Sequence, residues 1–259
     1  MVATCVHYAR GQMSQMIEGA GVPLAVHDHG QGDAPVVLLV HGMAADAQTW
    51  VPAATQLAAG GLRAITYDRR GYGGSGAPEP YVGTTVAEQT ADAVAVLDAL
   101  GVREAVVAGD GFGALVALDL ALRFPRRVTA LVCADPPLFA FVPDAAQALA
   151  RERAQLEDAL RAGGPAAAVA SWLAGRVDAV AVARAQGSPL GFFADYAGQA
   201  SLVVTRRELR GVGTPTVVAT GAGSPPDVVA AADALAQLLP DARREPVADL
   251  VTAVQAVAA

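Results

Sequence analysis

Short runs of β-branched and aliphatic residues alternate with longer alanine- and leucine-rich amphipathic stretches along most of this chain, and that rhythm limits the fold more than any other feature. Residues 36–40, 62–67, 105–109, 128–134 and 214–220 read as strands, with a short strand near 243–247. Residues 49–58, 85–100, 113–124 and 228–239 read as helices, followed by a last helix to the C-terminus. Such strand-helix alternation needs crossover connections and therefore a mostly parallel sheet flanked by helices, an α/β fold. Thr85 with Glu88 three residues on is a capping box, and Gly101 stands where a helix closes. From Pro136 to about Thr205 the alternation stops. That stretch is mainly helical, with breaks at Gly163-Gly164-Pro165 and Gly187-Ser188-Pro189. The expected organisation is one core, residues 1–137 and 206–259, with residues 138–205 inserted as a helical cap or lid.

Composition narrows the classes. A 259-residue chain that is 53% hydrophobic can bury a large core. A net charge of −7 disfavours a nucleic-acid partner, which would want a basic stripe. All 18 basic residues are arginine, and without lysine there is no Schiff-base amine and no phosphate loop of the Walker type. Cys5 and Cys133 are far apart and form neither a disulfide framework nor a metal-ligand spacing, so no metal is expected. Cys133 sits in an apolar run and reads as a buried small hydrophobe. The first ten residues lack a signal-peptide apolar stretch, and no run reaches the length of a membrane span. The expectation is a cytoplasmic monomer or homodimer, with residues before about Ser14 as a loose extension.

Between the strand at 105–109 and the helix at 113–124 the chain reads Gly109-Asp110-Gly111-Phe112-Gly113. The central residue of this strand-to-helix turn is Gly111. The four histidines, His7, His27, His29 and His41, all precede the turn.

The order of several motifs resembles the α/β-hydrolase superfamily over nearly the whole chain. Val40-His41-Gly42-Met43 followed by Trp50 is similar to that family's oxyanion loop, and Tyr67-Asp68-Arg69-Arg70-Gly71-Tyr72-Gly73-Gly74-Ser75-Gly76 to its next βα loop. The turn at Gly111 is similar to its nucleophile elbow, and Leu131-Val132-Cys133-Ala134-Asp135-Pro136-Pro137 leads into a cap where the family places one. The resemblance implies a hydrolase fold whose triad positions have changed. Gly111 stands for the nucleophile, Ser224 for the acid, and Pro246-Val247-Ala248-Asp249-Leu250 replaces the late Gly-His loop.

The same resemblance assigns an oxyanion hole to the backbone N–H groups of Met43 and Phe112. Asp110 is a candidate for proton transfer if it reaches the cavity, where burial would raise its pKa. His41, Trp50, Asp135, Trp172, Phe192, Phe193 and Tyr196 are candidates for substrate contact, with His41 also bracing its own turn. Asp68-Arg69-Arg70 reads as a solvated or loop-bracing charge cluster and Asp249 as a helix cap.

A missing nucleophile and base beside intact oxyanion motifs predicts a non-hydrolytic enzyme. The expected type is a cofactor-independent oxygenase, or a lyase or cyclase, tailoring an aromatic polyketide-type metabolite with molecular oxygen as a second partner and no cofactor. One alternative is a binding or interaction protein on the same fold. Another follows from Gly109-x-Gly111-x-x-Ala114, which also satisfies a dinucleotide fingerprint and would make the chain an NAD(P)- or flavin-dependent oxidoreductase.

Overall fold

A computed structural model describes residues 6–8, 12–30, 32–143, 145–246 and 250–258. Nine strands form a single sheet: β1 (Val6–Tyr8), β2 (Gln12–Glu18), β3 (Pro23–His29), β4 (Val36–Val40), β5 (Arg63–Tyr67), β6 (Ala105–Asp110), β7 (Val128–Ala134), β8 (Thr216–Thr220) and β9 (Ala242–Pro246). Their order across the sheet is β1-β2-β3-β5-β4-β6-β7-β8-β9. The first three strands join antiparallel and β3 pairs antiparallel with β5; every later pairing is parallel. The stretch before Ser14 is therefore not a loose extension throughout, because Val6–Tyr8 and the start of β2 pair within the sheet edge.

The helices are α1 (Val51–Ala59), α2 (Val86–Ala99), α3 (Phe112–Arg123), α4 (Ala145–Leu173), α5 (Ala179–Ala185), α6 (Pro189–Gly198), α7 (Arg206–Leu209), α8 (Pro226–Leu238) and α9 (Leu250–Ala258). Side chains of alternate parity on the central strands feed two cores. Leu38, Val40, Val107, Leu131 and Val218 pack with α2, α3 and α8 on one face. Val37, Leu39, Val106, Val132 and Val217 pack with α1 and α9 on the other. Strands buried on both faces explain why their sequences are unbroken apolar runs.

Local chemistry sets the boundaries. Thr85 Oγ1 accepts the Glu88 N–H at 3.1 Å and Glu88 Oε2 accepts the Thr85 N–H at 2.7 Å, so α2 opens on the capping box expected of it. The expected start of α1 at Thr49 falls two residues early, because Asp46 caps a separate 3₁₀ turn at Ala47–Trp50 before Pro52 enters the helix. Between β7 and β8 only helices occur among the described residues. The expected break at Gly163-Gly164-Pro165 is a kink inside α4, where Gly164 takes a φ of 76°. Asp249 lies outside the described residues.

The Asp68-Arg69-Arg70 run is not solvated. All three side chains are buried, and the two arginines go opposite ways. Arg70 pairs with Asp92 at 2.6 Å, while Asp92 also accepts the Ala20 N–H at 2.8 Å and so ties α2 to the β2–β3 turn. Asp68 accepts N–H groups of Ala47 and Gly74, each at 2.8 Å, and braces its own loop.

The tightest backbone approach lies at the β6–α3 junction. A Cβ on Gly113 would overlap the Val40 carbonyl oxygen and come within 2.7 Å of that of His41; a Cβ on Gly109 would overlap the Gly113 carbonyl. Neither obstacle is a side chain that could turn aside. Gly113→Ala is therefore expected to destabilise the protein by about 1–3 kcal/mol or more, as overpacking does. Urea unfolding measures this, and a midpoint equal to wild type would contradict the packing described.

Candidate active site

The β6–α3 turn places Gly111 at φ 55°, ψ −120°, with its N–H donated to the Ala134 carbonyl at 2.9 Å. This backbone region is costly for a residue with a side chain. Space is not the obstacle, since a Cβ there would meet nothing nearer than Gly42 Cα at 3.8 Å. The elbow faces a cavity of about 510 Å³ whose floor includes Gly42, Met43, Asp110, Gly111, Phe112, Asp135 and Ser224.

Phe112 opens α3, and its N–H lies in the first turn, where helix geometry offers no acceptor. Met43 follows the His-Gly turn on the opposite lip. Both residues line the cavity, as the oxyanion reading requires. The positive end of the α3 dipole adds a favourable potential for an anion at this point.

Asp110, the last residue of β6, also lines the cavity. Its carboxylate lies against the Gly42 α-carbon, where a Cβ would come within 3.2 Å of Oδ2. Burial, and then the nearby Asp135 carboxylate, push its pKa up to about 7, with a smaller opposing pull from the Gly111 amide. Asp135 follows β7 directly, in the left-handed region at φ 45°, and is held there by its N–H bond to the Ala219 carbonyl at 2.9 Å. Its Oδ1 accepts the Ser224 hydroxyl at 2.5 Å. Two carboxylates and a hydroxyl, from the ends of three neighbouring strands, thus meet beside the elbow.

His41 is fully buried and does not line the cavity. Its Nδ1 donates to the Gly42 carbonyl at 2.9 Å and its Nε2 accepts the Arg69 N–H at 2.9 Å. Those partners assign the tautomer, and burial together with the Arg69 charge holds the pKa well below the usual imidazole range. The ring braces the turn and has no nitrogen left for a substrate. Among the described residues no histidine lines the cavity. His27 bonds Ser14 at 2.7 Å in the antiparallel part of the sheet.

Four other expected substrate contacts are also placed elsewhere. Trp50 belongs to the α1–α9 core. Phe192, Phe193 and Tyr196 form the inserted helices' own core, with Phe192 fully buried between the other two rings. An α6 that is apolar on most of its surface packs inward on itself and on α4, which an aromatic count in the sequence does not distinguish from a pocket wall. Trp172 does reach the cavity, with Arg176 over its ring at 4.4 Å.

Sequence reasoning missed the mouth. Arg176 pairs with Glu152 at 3.2 Å and Arg184 with Asp46 at 3.3 Å, so both guanidinium groups at the cavity are matched by carboxylates. Among the described residues Asp110, Asp135 and Asp227 have no cationic partner there, which makes the cavity electronegative. It also missed Arg69, whose side chain is fully buried against Asp195, 126 residues away. No local pattern announces a pairing at that separation.

Of the two glycines in the dinucleotide fingerprint, Gly109 is required by its contact with the Gly113 carbonyl and Gly111 by its positive φ. A profile of the alpha/beta hydrolase fold matches residues 35–249. The chain belongs to the alpha/beta hydrolase fold family. It is 36% identical to epoxide hydrolase A of Mycobacterium tuberculosis over 123 residues, 48% of this chain and 38% of that one. To an epoxide hydrolase of Caballeronia sordidicola it is 38% identical over 108 residues, 42% of this chain and 33% of that one. The match thus spans well under half of either relative's length. The structure of the enol-lactonase from Burkholderia xenovorans superposes with a TM-score of 0.71 at 21% identity, covering 93% of this chain and 94% of that one.

These relatives overturn the expected chemistry. They are named as hydrolases, which overturns the expected cofactor-independent oxygenase, lyase or cyclase tailoring an aromatic polyketide and the oxidoreductase alternative. No helix among the described residues is long and apolar enough to cross a membrane.

The coupling between the two floor carboxylates has a measurable sign. Asp110 should titrate near 7 by carboxyl carbon NMR, and Asp135→Asn should lower that value by removing the like charge. A carboxyl pKa raised in the folded state means that stability is lost as pH climbs from the ordinary carboxylate range through about 7. Asp110→Asn should therefore melt higher than wild type at pH 8 and lose that advantage near pH 4.

Proposed function

We propose that this chain hydrolyses an uncharged carboxylic ester or lactone by direct attack of water, with Asp110 as the base and without a covalent enzyme intermediate. The observation that carries this reading is the Asp110 carboxyl on the cavity floor beside a vacant elbow, with its pKa raised to about 7. A base is most effective when its pKa lies near the working pH. The nucleophile and histidine of the family triad are lacking in this reading, and water occupies the space above Gly111 that a nucleophilic side chain would fill.

In the reaction, ionised Asp110 takes a proton from water as its oxygen bonds the acyl carbon. The carbonyl oxygen becomes an anion in the cradle of the Met43 and Phe112 N–H groups. The tetrahedral species then collapses, the bond to the leaving oxygen breaks, and protonated Asp110 returns its proton to that oxygen. Backbone donors of this kind contribute about 2.7–4 kcal/mol each in enzymes where one has been removed. They act on an acyl oxygen, which favours esters and lactones over epoxides and accords with a structural relative being an enol-lactonase. Asp135 adds to the burial that raises the Asp110 pKa, and it fixes Ser224 by a 2.5 Å hydrogen bond. With its guanidinium groups already paired, the cavity offers an anionic substrate no free cation among the described residues. The inserted helices α4 and α5 supply Leu149, Trp172, Leu173 and Ala181 to the wall and serve as the lid in this reading.

Assay of the purified chain against a panel of neutral esters and lactones should show turnover, with kcat rising through about pH 7 to a plateau. Asp110→Asn should lower kcat by about 10²- to 10⁴-fold, the range for loss of a positioned base. Mass spectrometry of quenched reactions should show no acylated protein. Equal activity of wild type and Asp110→Asn, or an acyl adduct on the chain, would sink the proposal.

A further inference from the structure

We infer that Arg69 and Asp195 form a latch through which the inserted helix α6 positions the oxyanion amide of Met43; the inference rests on the hydrolytic reading above. Arg69 sits on the loop after β5, yet its guanidinium serves the His-Gly turn. Its Nη2 donates to the Gly42 carbonyl at 2.9 Å and its Nε to the His41 carbonyl at 2.8 Å. His41 Nδ1 bonds the same Gly42 oxygen at 2.9 Å.

The Gly42 carbonyl and the Met43 N–H belong to one planar trans peptide, so they point in opposite directions. Pinning the oxygen from two donors in the interior therefore aims the N–H away from it, toward the cavity that Met43 lines. The Arg69 guanidinium also lies 5.0 Å from the centre of the Phe112 ring, so it sits between the Gly42–Met43 peptide and the residue that supplies the second oxyanion donor.

Asp195 of α6 fixes the guanidinium. Its two oxygens accept from Arg69 at 3.1 and 2.5 Å, and Gln89 and Tyr72 donate to it at 3.0 and 2.8 Å. Both charges are fully buried with their hydrogen-bonding capacity used. A buried ion pair is weak evidence for stability, because an apolar pair of similar volume often serves as well. What an apolar pair could not do is hold two backbone carbonyls in place. Asp195 and Arg69 are positioning residues, and a displacement of α6 would be felt at the Met43 amide.

Two variants and two measurements test this. Arg69→Lys keeps the charge but cannot span both carbonyls, whereas Arg69→Met combined with Asp195→Leu removes the pair without stranding a charge in the core. Each should lower kcat about tenfold or more on the neutral ester or lactone, part of what losing an oxyanion donor costs. KM and the pH midpoint set by Asp110 should stay where they are. Nitrogen-15 relaxation should show the Met43 order parameter dropping from the rigid value of about 0.85 toward the flexible range below about 0.6. If the double variant fails to fold, the lysine variant carries both readouts. Wild-type kcat and a rigid Met43 in a folded variant would overturn the latch. Failure of the hydrolytic reading would appear separately, as an inactive wild type, and the Met43 relaxation would then decide alone.

Discussion

Where β4, β6 and α3 cross, backbone meets backbone with no side chain between, and the rest of the molecule is arranged around that contact. Gly109 and Gly113 are needed on either side of the turn because carbonyl groups occupy the space a Cβ would take. The close approach forces a sharp elbow, and the elbow aims the start of α3 at the cleft. Everything the site can offer follows from that geometry: a helix N-terminus without acceptors, a loop amide facing it, and the ends of β6, β7 and β8 converging within one cavity. The chemistry at the elbow can change while the crossing persists, because the crossing is made of main chain.

Much of this architecture was legible from residue pattern alone. The runs at 36–40 and 128–134 are β4 and β7 as expected, since strands covered on both faces carry mostly apolar residues. The Thr85–Glu88 cap was legible because its partners are three residues apart. Two things were not. None of the three antiparallel strands β1–β3 was among the expected strands, because polar residues interrupt their apolar pattern. The 3₁₀ turn before α1 depends on Asp46, whose role is clear only once its side chain is seen to accept the Gln48 N–H at 3.1 Å.

The site divides in the same way. Asp110, Gly111 and Phe112 could be placed because they share one local turn, and Met43 because it follows the His-Gly turn after β4. The aromatic residues of the insertion could not, since a helix that is apolar nearly all round can face its neighbours or a ligand, and Phe192, Phe193 and Tyr196 face their neighbours. The chemistry inferred from the missing triad went further astray. A vacant nucleophile position suggests the loss of hydrolysis, whereas the chain's relatives are named as hydrolases. Whether Asp110 pointed inward or away was undecidable in sequence, because a residue at the end of a strand can turn either way until the partner loop at Gly42 is in place.

The thiol of Cys133 has a use unconnected with catalysis. It is fully buried in β7 behind α3, near the Ala114 carbonyl, and burial pushes its pKa up to about 12. Reagents that attack thiolates have no access to it while that helix is seated. Its rate of alkylation consequently counts the rare moments when α3 lifts from the sheet, so the native chain carries a built-in chemical clock for the opening of its own elbow.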